Sequence, residues 1–134
     1  MPIIYKKFIF RSDLRANPTW LFLFGDNELR QGYAGQAKQM RGEPNALGIC
    51  TKRRPSAAPN AYYSDVNLDR NCLQIDKDIS KAFVHVARGG TVVVPSDGLG
   101  TGMAMLKTKA PKTFEFLQRR LRQLDKFANK KDET

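Results

Sequence analysis

The chain is poor in the residues that carry most metal and covalent chemistry. Its 134 residues include one histidine, His85, and two cysteines, Cys50 and Cys72. Neither cysteine stands in a CxxC pair, and one imidazole cannot complete a His-rich zinc site, so no metal or cofactor is expected. No Ser-His or Cys-His pairing is visible, which leaves triad catalysis little support. His85 itself reads as a partly buried residue beside the apolar stripe of a helix. Both thiols are expected to be free and structural, as in a reducing compartment. Long apolar runs are missing too. The longest, WLFLF from Trp20 to Phe24, falls far short of the ~20 residues of a membrane span. The first residues lack the basic, apolar, small-residue order of a signal peptide. A cytoplasmic protein with no membrane partner is the expectation.

Acidic residues are the other shortage. Asp and Glu number 13 against 23 Lys and Arg, for a formal charge of +10. That excess favours anionic partners, whether nucleotides, nucleic acid or acidic surfaces, and does not choose among them. The length suits one domain, expected over residues 1–126, with a charged and frayed tail at 127–134.

What is present has the pattern of a layered α/β domain. IIYKKFIF, from Ile3 to Phe10, is β-favourable and fits an edge strand, and RSDLRANPT reads as a polar turn. TWLFLF is a strand-length apolar run ended by Gly25, suited to burial on both faces. A loop then leads into a short helix from Ala34 to Met40. Asn45 to Cys50 is another strand, and the proline-interrupted stretch beyond Thr51 is a long irregular segment. Ile75, Ile79, Ala82, Phe83 and Val86 recur at helical spacing, ending at Gly89-Gly90. TVVVP is a short buried strand. Ala110, Phe114, Leu117, Leu121 and Leu124 mark a last helix, with Pro111 in its first turn. This order implies a mixed or mainly parallel sheet, with ligands bound at the C-terminal ends of the strands.

Two glycine-rich segments leave such strand ends and should meet at one rim. DGLGTG, from Asp97 to Gly102, is followed by MAML. It offers backbone N–H groups to an anion, with a following helix N-terminus adding positive potential; the alternative is a plain tight turn. It is neither a Walker A motif nor GxGxxG. In FGDN, Asp26 and Asn27 either accept from an adenine amine and a ribose hydroxyl or cap the next turn. TKRRPS places Lys52, Arg53 and Arg54 where they clamp phosphates or form a solvated basic loop. Tyr62 and Tyr63 either stack on a base or alternate, one buried and one exposed. The methionines Met40, Met103 and Met105 read as packing residues. Arg119, Arg120, Arg122 and Lys126 give the last helix a basic face suited to a nucleic-acid backbone or simply to water.

Taken together, FGDNELRQGYAGQAKQMRG, NALGICTKRRPS and VVVPSDGLGTGMAML resemble small phage and bacterial proteins of the macro-domain-like superfamily, from Trp20 to Leu124. GLGTGMA is similar to the macro-domain loop that wraps the diphosphate of ADP-ribose, and GDN…GYAGQA to its first loop. The resemblance implies a three-layer α/β/α fold with a mixed, mainly parallel sheet, and ADP-ribose or a related adenine nucleotide as ligand. It implies Asp26, flanked by Gly25 and Asn27, as the adenine-contacting acid. The first phosphate loop would be Gly32, Tyr33, Ala34, Gly35 and Gln36. The second would be Gly98, Leu99, Gly100, Thr101, Gly102 and Met103, with Thr51, Lys52 and Arg53 beside them. The VNAAN-type strand of many hydrolytic relatives is absent. Some relatives that remove ADP-ribose use a Lys and an Asp, for which Lys52 and Asp97 are the candidates here. Hydrolysis of an ADP-ribosyl linkage and sequestration of a nucleotide signal both remain open. The alternative is a nucleic-acid-binding or phage host-interaction protein that uses the basic surface.

Overall fold

In the computed structural model, which describes residues 3–132, alternation along the strands sets the layers. Strand β2, Leu21–Asn27, sends Phe22 and Phe24 to one face and Leu23 to the other. Strand β4, Val92–Pro95, does the same with Val93 against Val92 and Val94. Phe22, Phe24 and Val93 pack with Leu14 of helix α1, Arg11–Ala16, and with Ala37 and Met40 of the single-turn α2, Ala37–Met40. The opposite face packs on Ile75, Ile79 and Val86 of α3, Leu68–Ala87, and on Leu117 and Leu124 of α5, Pro111–Asp132. Strands buried on both faces read as unbroken apolar runs, which accounts for WLFLF and TVVV.

The sheet is completed by β1, Ile3–Lys6, and β3, Ala46–Lys52, in the order β1-β4-β2-β3. Every strand pairing among the described residues is parallel. The antiparallel element that a mixed sheet would need shrinks to one isolated bridge, Lys52 to Tyr62. From β2 the chain steps outward to β3, then returns through α3 to β4 on the other side of β2. That reversal is a topological switch point, where the loops at the strand C-termini diverge and leave a crevice.

Two expectations need correction. The first strand stops at Lys6, and the segment expected to turn forms α1 instead. The Asp13 carboxylate accepts from Phe10 N at 2.8 Å and nucleates that turn, Leu14 is its one buried residue, and Arg11 ties it to Glu43 at 2.6 Å. One large apolar residue in six gives no helical period to read. The second is the expected tail, because α5 continues through 127–132. Ala128 is fully buried, and Phe127 packs on Phe83 with ring centroids 5.6 Å apart. Residues 133–134 of that tail lie outside the described residues. Helix α5 starts firmly because Asp65, from the irregular segment, accepts from Lys112 N at 2.9 Å and Thr113 N at 3.0 Å. No helix among the described residues is long and apolar enough to cross a membrane.

Candidate functional site

A cleft of about 480 Å³ opens at the C-terminal ends of β2, β3 and β4. The strands contribute Gly25, Asp26 and Asn27 from β2 and Thr51 and Lys52 from β3. The first loop contributes Gly32, Ala34, Gly35 and Gln36. The second contributes Asp97, Gly98, Gly100, Thr101, Gly102 and Met103. The two glycine loops therefore do meet at one rim. Three expected residues stand apart from its lining: Tyr33, which is 66% exposed, Arg53, and Leu99, which is fully buried in the core.

The second loop crosses β2 at very short range. A Cβ on Gly25 would lie 3.3 Å from Gly100 N. Gly100 has φ +74°, and a Cβ there would meet Leu106 Cβ at 3.0 Å and Thr51 Cγ2 at 3.1 Å, so no other residue fits without displacement. The loop is braced from within. Gly98 N donates to Pro95 O at 2.9 Å, Thr101 Oγ1 to Asp97 O at 3.0 Å, and Leu106 N to Gly100 O at 2.9 Å. Between these braces, the N–H groups of Leu99, Gly100, Thr101, Gly102, Met103 and Ala104 donate to no group among the described residues. Leu99 and Gly100 are buried, and buried N–H groups without an acceptor are rare in folded proteins. With the Leu99 side chain locked in the core, this stretch of backbone keeps its N–H groups free of partners among the described residues. A helix dipole adds little. The following helix α4, Leu106–Lys109, is one turn, entered through Met105 at φ +49°, whereas a macrodipole needs many aligned peptides.

The first loop is tied down by charge. Asp26, expected to meet an adenine, has its carboxylate committed inside the protein. Oδ1 accepts from Arg41 Nη2 at 2.5 Å and from Asn27 N at 2.8 Å, and Arg30 Nη1 stands 3.4 Å from Oδ2. Arg30, itself at φ +55°, continues to Asp78 Oδ1 at 2.6 Å, and Asp78 Oδ2 accepts from Cys50 N at 2.8 Å. A ladder of alternating charges thus joins the first loop, β3 and α3. Gly48 makes room for it, since a Cβ there would overlap the Asp26 carboxylate. Asn27 is a turn builder. Its Oδ1 accepts from Leu29 N at 3.1 Å and its Nδ2 donates to Gln31 O at 2.8 Å. Gln36 reaches back so that its Oε1 accepts from Gly25 N at 3.2 Å. Arg41 is the residue that sequence reasoning missed. It lines the cleft, binds Asp26, donates from Nε to Gly32 O at 2.7 Å and stacks over Phe24 at 5.5 Å. A lone arginine after a predicted helix carries no signal for that role.

On the β3 side, Lys52 Nζ lies 4.5 Å from the centroid of the Tyr62 ring. Burial holds the Lys52 ammonium below its ordinary pKa. Tyr62 lines the cleft while Tyr63 is buried with its hydroxyl donating to Glu28 Oε2 at 2.7 Å, the alternation expected for an extended segment. Arg53 and Arg54 lie outside the cleft lining and use their backbone N–H groups on Ala61 O, and the Arg54 guanidinium donates to Asn60 Oδ1. Asp97 is exposed at the opposite wall. Of the methionines expected to pack, Met40 does. Met103 and Met105 are 68% and 42% exposed, because their loop faces the cleft mouth rather than the core. Cys50 is buried and Cys72 half-buried, both as free thiols. His85 is half-buried near the end of α3, against Gly90. On the last helix, Arg120 is not a free cation: it pairs with Asp76 at 2.9 Å and lies over Phe83.

The model of one protein family, described as a family of unknown function (DUF7831), matches residues 4–120, most of the chain and every segment of the cleft. No curated protein and no solved structure matches it.

Proposed function

Because the chain belongs to the DUF7831 family, for which no activity is described, its role has to be read from its own cleft, and we propose that this cleft binds an adenine nucleotide of the ADP-ribose class. The observation that carries the reading is the row of six N–H groups from Leu99 to Ala104 with no acceptor among the described residues. Such a row is built to receive the oxygens of a diphosphate. A volume of about 480 Å³ suits a ligand of nucleotide size. The resemblance of GLGTGMA to a macro-domain diphosphate loop supports the same assignment. In this reading Asp26 does not touch the base. It fixes Arg41 and the first loop, and recognition of the base falls to the exposed rim, where Tyr33 and Met103 stand. Hydrolysis of an ADP-ribosyl linkage is the reaction the resemblance adds. Lys52 and Asp97 lie on the walls of one cleft and are the pair to test for it.

The experiment is titration calorimetry with ADP-ribose beside AMP, NAD and a short DNA duplex at two salt concentrations, on the parent protein and Gly102→Val. A Cβ at Gly102, which lines the cleft, meets nothing within 4 Å, so valine adds bulk to the lining without displacing a neighbour at its Cβ. Micromolar ADP-ribose binding that persists in salt and is lost in Gly102→Val is expected. No nucleotide binding, together with DNA binding that falls steeply with salt, would reject the reading in favour of a nucleic-acid surface. That surface has the weaker support, since Arg120 of the expected basic face is already paired with Asp76.

A further inference from the structure

Three segments distant in sequence converge at one end of the cleft. Lys52 ends β3, Tyr62 belongs to the irregular segment, and Lys109 is the last residue of α4. Their contact is specific. Lys52 Nζ lies 4.5 Å and Lys109 Nζ 4.9 Å from the centroid of the same Tyr62 ring. The two ammonium groups are therefore less than about 10 Å apart, roughly one Debye length at 0.1 M salt, where like charges still feel each other. Neither forms an ion pair among the described residues. The pKa of Lys52 is shifted by burial alone, with no carboxylate acting on it. Acids around the cleft are otherwise placed: Asp26 is held by Arg41 and Arg30, Glu28, whose N–H donates to Lys52 O, is paired with Arg70, and Asp97 sits on the second loop.

The ring between the lysines is itself fixed. Tyr62 bridges to Lys52 in antiparallel fashion, and Arg53 N donates to Ala61 O at 2.8 Å, so the segment is pinned to the end of β3. An aromatic face holds each ammonium in place without neutralising it. Two positioned, uncompensated cations at the end of a cleft whose floor is already a row of N–H donors describe a place for more negative charge. A diphosphate seated in the second loop does not require them.

Building on the diphosphate reading above, we propose that the Lys52–Tyr62–Lys109 end of the cleft is a further phosphate subsite. The ligand class is then a nucleotide that carries another phosphate beyond its diphosphate, either as a monoester or as the diester of an attached strand. A monoester brings close to two negative charges at neutral pH, enough to answer both ammonium groups. A strand diester brings one.

The test compares three probes on the full chain: ADP-ribose, the same molecule bearing a phosphate monoester on a ribose hydroxyl, and a ten-nucleotide single-stranded DNA. Each is titrated into the parent protein, Lys109→Gln and Lys52→Gln at two salt concentrations. Lys109 is exposed at the end of α4, and circular dichroism confirms that each variant is folded. The expected result is at least a tenfold preference of the parent protein for the phosphorylated nucleotide over ADP-ribose, falling to near parity in both variants. If the strand is the natural source, the single-stranded DNA binds more tightly than ADP-ribose, which still binds, with a salt slope reduced by about 0.7 for each lysine removed; DNA binding with no ADP-ribose binding rejects both readings. ADP-ribose binding with no preference for either phosphorylated probe would overturn the subsite and leave the diphosphate reading standing. A preference that survives in Lys109→Gln would also overturn it. A parent protein that binds none of the three rejects both.

Discussion

Gly100 and Gly102 lie two residues apart in one loop, and the structure assigns them opposite tolerance. Alanine at Gly100 must hold φ near +74°, a region that costs an L-residue about 1–2 kcal/mol. Its methyl group would also stand 3.0 Å from Leu106 Cβ and 3.1 Å from Thr51 Cγ2. Both belong to buried residues, and overpacking of this kind costs about 1–3 kcal/mol. Gly100→Ala should therefore lose about 2–5 kcal/mol. For a domain of this size that is a fall in melting temperature on the order of 10 °C. Gly102 is not at positive φ and has open space at the Cβ position. Gly102→Ala should stay within about 0.5 kcal/mol of the parent, or gain slightly through a less free unfolded chain. Thermal melts of the three proteins, followed by circular dichroism at one scan rate, decide the matter. Equal melting temperatures for the two variants, or a larger fall for Gly102→Ala, would refute the described path of the loop across β2.

Three other perturbations test the surroundings. Asp26→Asn removes the charge facing Arg41 and Arg30 at a buried position, and breaking such a pair costs about 3 kcal/mol; a midpoint in urea unchanged from the parent would show that the ladder does not hold the first loop. Asp65 titrates below the ordinary carboxylate range: its partial burial pushes upward, and the hydrogen bonds from Lys112 N, Thr113 N and Thr113 Oγ1 outweigh it. A carboxyl lowered on folding stabilises above its unfolded pKa of about 4 and loses that contribution as pH falls through the folded value. Asp65→Ala should accordingly be about 1 kcal/mol less stable at pH 7, with the gap closing below about pH 4, and a gap independent of pH would count against the cap. The Cys50 thiol is pushed far up by burial and then by Asp78, and Cys72 is raised mainly by its own burial. Alkylation at pH 8 should therefore label Cys72 slowly and Cys50 only after denaturation, an order that mass spectrometry of the peptides reads directly.

The layered α/β class, the positions of β2, β3, β4, α3 and α5, and the convergence of the two glycine loops were legible in the sequence. Each rests on a pattern with a period or a turn residue behind it. Helix α1 was not, because its helical character depends on Asp13 accepting from Phe10 N and on a single buried leucine. The continuation of α5 was hidden for a related reason: Phe127 and Ala128 gain their burial from Phe83 and the sheet face, which a charged tail does not announce. At the site, glycines and strand ends identified the walls, whereas the direction of the Asp26 carboxylate did not follow from its place after a strand. That direction is decided by Arg41, fifteen positions away, and by the missing side chain at Gly48 on the neighbouring strand. Sequence spacing carries no information about a contact between adjacent parallel strands until their order is known.

The pairing of Gly48 with Asp26 also makes two positions inherit together. A side chain at 48 must displace the carboxylate at 26, and its loss would leave Arg41 without its carboxylate partner and Arg30 with Asp78 alone. Within the family, then, a bulkier residue at position 48 should travel with a neutral residue at 26 and with replacement of at least one of these arginines. A chain that changed only position 48 or only position 26 would carry that cost in stability before its ligand was ever consulted.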